Sequence, residues 1–317
     1  MIDTDLLQLL TCPVCQDSDL LGLDARMADG TLTCSRCGAQ YPVRRGIPIL
    51  LPPDLDASRI HDELDHEHEH KRQQADFFDR DVAAEFEITR PNGTPLAYRW
   101  LMAEKFRRSV AMLPSLQGAT VVDACSGSGM DAEFLARQGA KVLALDVSEG
   151  CAIRAKQRAD RYAIDYLVVV GDVERLPIRT HSADISYAHD GLHHLDAPMR
   201  AIGELARVAK QAVSVNEPAD ALATQLAVRL GISTNQEGAG NRVARLRTED
   251  VRRELGAAGF DVSAQRYVMY YRHEPGSAMR LFSQPVIHHL FRLAATLINV
   301  AIGRWGNKLQ ITALRPR

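Results

Sequence analysis

Several features that would narrow the function of a protein are scarce in this chain. Aromatic residues make up 6% of its 317 residues, and the formal net charge is only -2. A charge so close to zero creates no overall field that favours nucleic acid. No basic and then apolar segment opens the chain, so no signal peptide is expected. The apolar run from Leu293 to Gly303 is too short to cross a bilayer, so no transmembrane segment is expected either.

Cysteine is also scarce, because the whole chain has six, yet four of the six form two close pairs. Cys12 and Cys15, with Cys34 and Cys37, give the spacing C-x2-C-x18-C-x2-C, which is typical of a zinc ribbon. Four thiolates fill the coordination of a tetrahedral zinc ion, so the site is expected to be structural rather than catalytic. Disulfides are the alternative, and they are rare in the cytoplasm, where this chain is expected to act.

The length and the composition predict one full α/β domain and a smaller module. Hydrophobic residues make up 46% and charged residues 25%, which is ordinary for a globular protein. We predict a zinc-ribbon module over residues 1–53, an acidic linker and lid segment over 54–95, and the main domain over 96–317. A helical insertion is expected at about 276–305 within the main domain.

The main domain is organised around the stretch VVDACSGSGMD at residues 121–131. Its β-branched residues suit a buried parallel strand, and Gly127 and Gly129 permit a tight turn that a ligand can approach closely. The next strand, KVLALDV, ends near Asp146, where a carboxylate can accept hydrogen bonds from both hydroxyls of a ribose. Asp172 follows the third strand in GDVERLP, at a position that suits an exocyclic amine.

This order of motifs resembles the class I S-adenosylmethionine-dependent methyltransferases, over roughly Val121 to Pro218. The resemblance implies S-adenosylmethionine as the cofactor and a seven-stranded Rossmann-like α/β sheet whose last strand, NKLQITALRP, is antiparallel. Where the family usually has glycine, this chain has Cys125, so a slightly different loop path is expected. A nicotinamide-binding domain is the alternative, but the loop lacks the GxGxxG spacing. The implied cofactor-binding residues are Asp123, Cys125, Ser126, Gly127, Gly129, Asp146, Val147, Asp172, Val173 and His189.

The fourth strand, ADISYAHD, carries the candidates for the chemistry. It delivers His189 and Asp190 to the carboxyl edge of the sheet, where open α/β sheets bind ligands. The ordinary histidine pKa of about 6.5 suits a general base near neutral pH, and packing against the cofactor is the alternative role for His189. His193 completes the predicted catalytic set, although support of the loop is the alternative for His193 and His194. Asp190 and Glu217 alone do not make a metal site.

The N-terminal module, from Cys34 through GAQYPVRRGIPILLP, resembles the zinc-ribbon family that includes the activator subunit of tRNA and protein methyltransferases. A similar module precedes the catalytic domain of a bacterial 23S rRNA guanine methyltransferase. The resemblance raises RNA as a substrate, but residues 1–53 hold four basic residues against six acidic ones. Modules that grip phosphates are basic, so we expect this one to pack on the main domain or on a second subunit instead.

Charge is distributed unevenly outside these motifs. Residues 54–90 hold twelve acids against five bases, whereas residues 242–317 hold thirteen bases against five acids. One interpretation of the basic tail is pairing within the molecule, and the other is a pocket for an anionic or amphipathic molecule. If the acidic stretch is helical, His66 and His70 share one face of the helix. They would then be either metal ligands or part of a solvated, charged face. Three aromatic residues of the lid segment either wall the pocket or pack in the core: Phe77, Phe78 and Phe86.

The sequence therefore predicts an enzyme that methylates a small molecule on oxygen or nitrogen, with specialised metabolism as a candidate pathway. An RNA methyltransferase that uses the zinc module for recognition is one alternative. A non-catalytic protein that binds the cofactor and assists a partner is the other. The expected partners are a small-molecule acceptor and, in a homodimer, a second copy of the chain.

Overall fold

The computed structural model describes residues 4–22, 24, 28–52, 66–80, 95–221, 224–225, 229, 244–270 and 280–316. Within them the strands join in one sheet. The strands are β1 (Leu20–Leu21), β2 (Gly30–Cys34), β3 (Gln40–Arg44), β4 (Ile47–Leu50), β5 (Thr120–Ala124), β6 (Lys141–Asp146), β7 (Leu167–Gly171), β8 (Ala183–His189), β9 (Ala209–Pro218), β10 (Asp261–Tyr267) and β11 (Lys308–Leu314). The helices are α1 (Thr4–Leu7), α2 (His66–Arg80), α3 (Leu96–Val110), α4 (Met130–Arg137), α5 (Glu149–Tyr162), α6 (Pro198–Val208), α7 (Thr248–Ala257) and α8 (Pro285–Ile302).

Seven of these strands form the sheet that the sequence predicted. Their order is β7-β6-β5-β8-β9-β11-β10. The first five run parallel, whereas β11 is antiparallel to both β9 and β10. Parallel strands that are buried on both faces have continuous apolar sequences, and β7 (LVVVG) is buried at all five positions. The predicted seven-stranded α/β arrangement, with its antiparallel edge, is therefore confirmed.

The sheet has eleven strands rather than seven, because the N-terminal module extends it. Strands β1 to β4 form an antiparallel meander, and β4 then pairs in parallel with β7. The register joins Ile49 to Val170 and Leu50 to Gly171. All four residues of β4 (IPIL) are buried, which is why this apolar stretch adds to the sheet instead of ending at an exposed edge. The predicted division of the chain at residue 53 stays a prediction, but the sheet crosses it.

The module and the main domain also share one hydrophobic core. Leu10 and Leu50 of the module are fully buried and belong to the same cluster as Leu143 and Leu167 of β6 and β7. The backbone joins the two parts as well, because the N–H of Thr11 donates to the carbonyl of Pro177 at 3.0 Å. The module therefore packs on the main domain of its own chain.

Two helices of the main domain have well-defined ends. Helix α7 begins at Thr248, so its cap position falls on Arg247, whose side chain makes no capping hydrogen bond. Helix α3 ends at Val110.

Helix α8 corrects the expectation about apolar length. The run from Leu293 to Gly303 belongs to a longer helical stretch, Pro285–Trp305. Only 11% of the most apolar 18 residues of this stretch is buried in the protein. By length and composition alone this stretch could cross a membrane, among the helices that the structure describes. The sequence-based prediction underestimated the length of the apolar helix, because the residues before Leu293 are helical but less continuously apolar. The predicted helical insertion is thus largely this one helix.

Candidate functional site

The carboxyl ends of the parallel strands meet at one edge of the sheet and define the candidate site. Cys125 follows β5, Asp146 ends β6, Asp172 follows β7 and His189 ends β8. These positions follow from the strand order, since each strand is fixed by its apolar residues in the core. The structure therefore brings the sequence-predicted residues to one edge. Ser126 and Val147 are half-buried there, and Val173 is buried.

The loop between β5 and α4 has the left-handed backbone that glycine permits. Gly127 and Gly129 have φ of 52° and 78°, and Cys125 has φ of 57° although it is not glycine. A Cβ on Gly129 would lie 2.7 Å from the hydroxyl of Tyr166, whereas a Cβ on Gly127 would meet nothing within 4 Å. Gly129 is thus required by packing beneath the loop, and Gly127 borders space that a ligand can enter. The left-handed backbone at Cys125 explains why glycine suits this position better.

The two acids at the ends of β6 and β7 shape the neighbouring loops. Asp146 accepts hydrogen bonds from the N–H groups of Gly127 at 2.9 Å and Ser148 at 3.0 Å. Asp172 accepts from the N–H of Glu174 at 2.9 Å and begins a short 3-10 turn. A carboxylate oxygen has two acceptor directions, so each acid keeps capacity for a ligand hydroxyl or amine.

Asp123, at the end of β5, has an incomplete set of hydrogen bonds. It is 1% exposed, and its Oδ2 has no hydrogen-bond partner within the part of the chain that the structure describes. Burial, reinforced by the charges of Asp131 and Asp146, raises the pKa of Asp123 well above its usual range. A buried acceptor without a donor costs about 1–3 kcal/mol, so a ligand that donates here would remove that cost. These residues fit a ligand that carries both amino and hydroxyl donors.

Helix α2, in the predicted lid segment, packs against the same edge. Lys71 Nζ donates to Asp172 Oδ2 at 2.8 Å and also contacts Glu174. Asp79 Oδ1 accepts from the N–H of Gly150, the second residue of α5, at 2.7 Å. Both contacts are charged or charge-assisted, and the Lys71 pair is buried, so they hold the helix over the ends of β6 and β7.

The aromatic residues of the lid segment behave differently from one another. The ring of Phe78 meets the ring of His194 edge-on with centroids 5.4 Å apart, whereas Phe77 is exposed. Phe86 lies outside the described residues. The helix predicted around His66 and His70 is present, but their side chains lie outside the described part of the chain, so their metal-binding role stays a prediction.

His189 is oriented by a carboxylate from the helix that follows the glycine loop. Its Nδ1 lies 2.8 Å from Asp131 Oδ2, and the hydroxyl of Tyr187 donates to Asp131 Oδ1 at 3.1 Å. His189 is 8% exposed, and its Nε2 has no hydrogen-bond partner among the described residues. With Nδ1–H donating to Asp131, Nε2 is left as a proton acceptor. The arrangement can therefore take a proton from a group placed at Nε2.

Asp190 differs from His189 because it is bound to two lysines. Lys105 Nζ and Lys308 Nζ both donate to its carboxylate, the second at 2.8 Å. Burial alone would raise the pKa of Asp190, but the two ammonium groups hold it well below its usual range. The backbone of Asp190 is left-handed, with φ of 48°. These contacts give Asp190 a structural part in the loop, and its predicted catalytic role stays a prediction.

His193 is held by Glu217 from the end of β9. Its Nδ1 lies 2.7 Å from Glu217 Oε2, while Glu217 Oε1 accepts from the N–H groups of Gly191 and Leu192 at 2.8 Å each. The ligand atoms of Asp190, His193 and Glu217 lie within 4.8 Å of one another, which is close enough for a metal ion. The two lysines on Asp190 and the three hydrogen bonds on Glu217 already satisfy both carboxylates. This donor set therefore does not suit a divalent cation. The contacts tie His193 to the loop after β8, and its predicted catalytic role stays a prediction.

Lys105 gives the site a testable pH dependence. Burial lowers the pKa of Lys105 from 10.5 to about 8. Below pH 8 the lysine is charged in the folded and unfolded states, and the cost of burying the charge is fully present. Between pH 8 and 10.5 only the unfolded chain still binds this proton, so its contribution to the free energy of unfolding rises with pH.

We expect Lys105→Met to remove this rise. The measurement is urea unfolding of the two proteins at intervals from pH 7 to 10, with the difference in unfolding free energy plotted against pH. Lys141→Met is the matched control, because Lys141 pairs with Asp5 at an exposed site. Identical pH profiles for the wild type and Lys105→Met would contradict the assignment.

The four cysteines of the N-terminal module form a separate cluster. Their sulfur atoms lie within 4.8 Å of one another, and the Tyr41 hydroxyl lies 3.1 Å from Cys12 Sγ. Burial alone would raise the pKa of Cys34, but hydrogen bonds from Ser18 and from the N–H groups of Cys37 and Arg36 bring it down to about 6. Converging thiols with N–H and O–H donors around their sulfurs fit a tetrahedral zinc ion. The site is closed by four cysteines, in agreement with a structural role.

Two protein families match the chain. Residues 122–215 match the family described as Methyltransferase domain, and residues 3–46 match the family described as Trm112p-like protein. The first match contains the glycine loop, both strand-end acids and His189. The chain thus contains a stretch that matches the methyltransferase domain and, before it, a stretch that matches Trm112p-like proteins. The resemblance drawn from the sequence is therefore confirmed for both parts.

Proteins similar to the methyltransferase domain carry the same kind of name. A malonyl-[acyl-carrier protein] O-methyltransferase of Pectobacterium atrosepticum is 33% identical over 105 residues, which are 32% of this chain and 39% of that protein. A demethylmenaquinone methyltransferase of Thermobifida fusca is 33% identical over 144 residues, which are 44% of this chain and 61% of that protein. For the Trm112p-like module, a UPF0434 protein of Nitrosococcus oceani is 42% identical over 50 residues, which are 16% of this chain and 78% of that protein. The chain thus spans less than two thirds of either methyltransferase.

Solved structures confirm the fold of the methyltransferase domain. Magnesium protoporphyrin IX methyltransferase from Synechocystis PCC 6803, with bound SAH, superposes with a TM-score of 0.54 at 19% identity. The match covers 78% of this chain and 100% of that one. The domain therefore has the class I methyltransferase fold. The predicted cofactor, S-adenosylmethionine, agrees with the family match and with the SAH bound in that neighbour.

We expect Asp146→Ala to weaken S-adenosylmethionine binding at least tenfold. The reason is that a hydrogen bond to a charged group contributes about 1.5–3 kcal/mol, and the change also removes the acceptor for the Gly127 N–H. Calorimetry with S-adenosylmethionine and its demethylated product measures the effect. Asp184→Ala is the matched control, because Asp184 accepts from the Thr120 N–H at 2.9 Å at the opposite end of β8. Undiminished affinity in Asp146→Ala would show that the ribose is not held there.

Sequence reasoning missed several groups that the structure places in the site. Asp131 belongs to the glycine-loop stretch, but no role was predicted for it from the sequence. It lies in the first turn of α4, from which an acid can reach His189 at the end of β8. Lys105 gave a clearer signal, because it lies on the stripe of α3 that also buries Tyr98, Leu101 and Met102. A lysine on an apolar stripe needs an acidic partner. Lys71 and Lys308 gave no comparable signal.

Proposed function

We propose that the protein is an S-adenosylmethionine-dependent methyltransferase that transfers a methyl group to oxygen or nitrogen of a small molecule. The observation that carries the proposal is the pair His189–Asp131. It presents an Nε2 that has no hydrogen-bond partner among the described residues, at the edge of the sheet where the glycine loop and the strand-end acids converge. A methyltransferase that acted only on an anionic acceptor would have no use for such a base.

The division of roles follows from the contacts. When bound, S-adenosylmethionine supplies an electrophilic methyl group on a sulfonium. Asp146, Asp172 and Asp123 would hold its hydroxyl and amino groups, and Gly127 leaves room beside it. His189 Nε2 takes the proton that a hydroxyl or protonated amine loses as it gains the methyl group, and Asp131 stabilises the resulting imidazolium. Correct placement of the acceptor supplies most of the remaining rate.

The acceptor is proposed to be apolar or amphipathic. Buried residues of α3 and of the segment after β10, among them Tyr98, Met102 and Met269, form an apolar cluster that reaches Met130. Met130 stands next to Asp131, and Asp131 contacts His189, so this cluster borders the proposed base. The names of the similar proteins agree in class, since one is an O-methyltransferase of an acyl-carrier protein and another acts on demethylmenaquinone. Specialised metabolism in the cytoplasm remains our proposal for the pathway.

The Trm112p-like module is proposed to support the methyltransferase domain in its own chain. Its strand β4 covers the edge of β7, the strand that leads into Asp172. An uncovered β7 would be an exposed sheet edge beside the cofactor site. The module therefore contributes to cofactor binding without touching the acceptor.

RNA is the alternative acceptor, favoured by the match to the Trm112p-like family and opposed by the acidic balance of the module. The test is to incubate the protein with labelled S-adenosylmethionine and with separate RNA and small-metabolite fractions of a cell extract. Label in the metabolite fraction supports the proposal, and label in RNA supports the alternative. Cofactor binding without label in either fraction would favour a non-catalytic partner protein.

A further inference from the structure

Helix α8 carries an apolar stripe on the side that faces away from the protein. The stripe consists of Val286, Leu290, Leu293, Leu297 and Val300, spaced by four, three, four and three residues. Each of these side chains is between 51% and 80% exposed. A helix that packs on a soluble domain normally turns such a stripe toward the core. Here the stripe faces outward, and so large an exposed apolar surface marks an interaction site.

The inner face of α8 contains polar residues that fix the helix in this orientation. His288 is buried against Trp100, with ring centroids 6.4 Å apart. The side chain of Asn299 pairs with the backbone of Val268, accepting from its N–H at 2.8 Å and donating to its carbonyl at 3.0 Å. Rotating the helix to bury the stripe would break these bonds and bury a polar face at the same time.

Both ends of α8 are attached to the methyltransferase domain. Before its first turn, Ser283 Oγ accepts from the N–H of Ala97 at the start of α3. After its last turn, Gly306 lies so close to β10 that a Cβ there would be 2.1 Å from the carbonyl of Tyr267. The helix of 18 residues, about 27 Å long, thus lies along the flank of the domain. It cannot cross a bilayer without leaving both attachments.

The segment that carries the stripe has charges of one sign. From Pro275 to Arg317 there is no acidic residue, whereas there are five arginines and one lysine. Arg292 lies on the helix, 5.7 Å from the centroid of the Trp100 ring, and Arg280 and Arg304 flank the helix; all three are exposed. Arg304 stacks on exposed Trp305 at 3.8 Å from the ring centroid. Tryptophan and arginine at the end of an apolar helix are typical of the interface between lipid and water.

We propose that α8 docks the protein on an anionic phospholipid surface, lying in the plane of the interface with its apolar stripe in the outer acyl region. Helices of this kind bind through buried apolar area together with the attraction of basic residues to anionic headgroups. A second copy of the chain is the less suitable occupant. A symmetric pair would bring two copies of this acid-free segment and their arginines together, without an opposite charge from the segment itself to compensate.

The position of α8 relative to the site is a consequence of the same packing. Its residue Phe291 joins the apolar cluster of Tyr98 and Met102 that extends to Met130. Docking would therefore place the apolar side of the candidate site close to the lipid surface. This inference does not depend on the proposed methyl transfer, because it rests on α8 alone.

The test uses the full chain and vesicles of phosphatidylglycerol and phosphatidylcholine in equal parts. We expect the protein to co-sediment with them, to bind vesicles of phosphatidylcholine alone more weakly, and to lose affinity as salt is added. The double variant Leu293→Glu with Leu297→Glu is expected to bind at least tenfold more weakly. Leu21→Glu, which changes an exposed leucine of the module, is the matched control and should bind as the wild type does.

Several results would overturn the proposal. They are absence of co-sedimentation, equal binding by the double variant, or resistance of the protein to extraction from cell membranes at alkaline pH, which indicates a spanning helix. A shift from dimer to monomer in light scattering of the double variant, without vesicle binding by the wild type, would assign the stripe to a second copy. Unchanged binding of S-adenosylhomocysteine shows that the variants are folded. Arg292→Gln with Arg304→Gln keeps the apolar stripe and should reduce the salt dependence.

Discussion

Removal of zinc is expected to unfold residues 4–52 and to weaken cofactor binding in the methyltransferase domain. Structural zinc sites of this kind contribute about 10–16 kcal/mol of apparent binding energy to local folding. The module is small, so little else can replace that energy. Its strand β4 pairs Leu50 with Gly171, the residue before Asp172, so loss of the module exposes the strand that positions this acid. The effect should therefore spread from the zinc site to the cofactor site.

The experiment compares the purified protein, the chelated protein and Cys12→Ser. Elemental analysis measures zinc per chain, circular dichroism follows unfolding, and calorimetry follows binding of S-adenosylmethionine. Cys151→Ser is the matched control, because Cys151 is a buried cysteine outside the cluster. Absence of zinc from freshly purified protein would refute the metal site. Zinc loss with unchanged cofactor affinity would refute the coupling and make the module independent.

Replacement of His189 by alanine is expected to lower turnover about a hundredfold or more while leaving cofactor affinity nearly unchanged. A positioned general base contributes about 10²–10⁴ in rate, and it acts in the transition state rather than in cofactor binding. The measurement is turnover and cofactor affinity of both proteins from pH 5 to 9, with the metabolite fraction that accepts label.

Two further variants separate a base from a packing residue. Asp131→Asn keeps the size of the orienting side chain but removes its charge, so we expect it to lower turnover. Tyr187→Phe removes only one hydrogen bond to Asp131 and should have a smaller effect. If His189→Ala weakens cofactor binding and spares turnover at saturating cofactor, the residue packs against the cofactor instead. If neither property changes, the acceptor needs no base.

The motifs along the main domain were predictable because they are local. A glycine turn after a buried strand, and acids at the ends of the next two strands, must meet at one edge once the strands pair in parallel. The four cysteines were predictable for the same reason, since each CxxC turn sets the positions of its own two sulfurs. The family matches to residues 122–215 and 3–46 cover these two local patterns.

The pairing of charges was not predictable from the sequence. Lys105, Asp190 and Lys308 come from α3, the end of β8 and the start of β11, and no spacing along the chain relates them. The prediction that Asp190 takes part in catalysis was made without knowing of these two lysines. Asp131 illustrates the same limit, because its partner His189 is 58 residues away.

The sequence by itself determined the class of the two parts, the grouping of the four cysteines and the residues that end the parallel strands at one edge, because each follows from a short pattern of residue types. Tertiary structure alone decided that the module extends the sheet through β4 and β7, that Asp131 orients His189, and that the apolar stripe of α8 faces outward. The physical reason is that these depend on contacts between distant segments. A helix with apolar residues on one side is indistinguishable in sequence whether that side meets the core or the surroundings, and here the partly buried pairing of Asn299 with Val268 makes the choice.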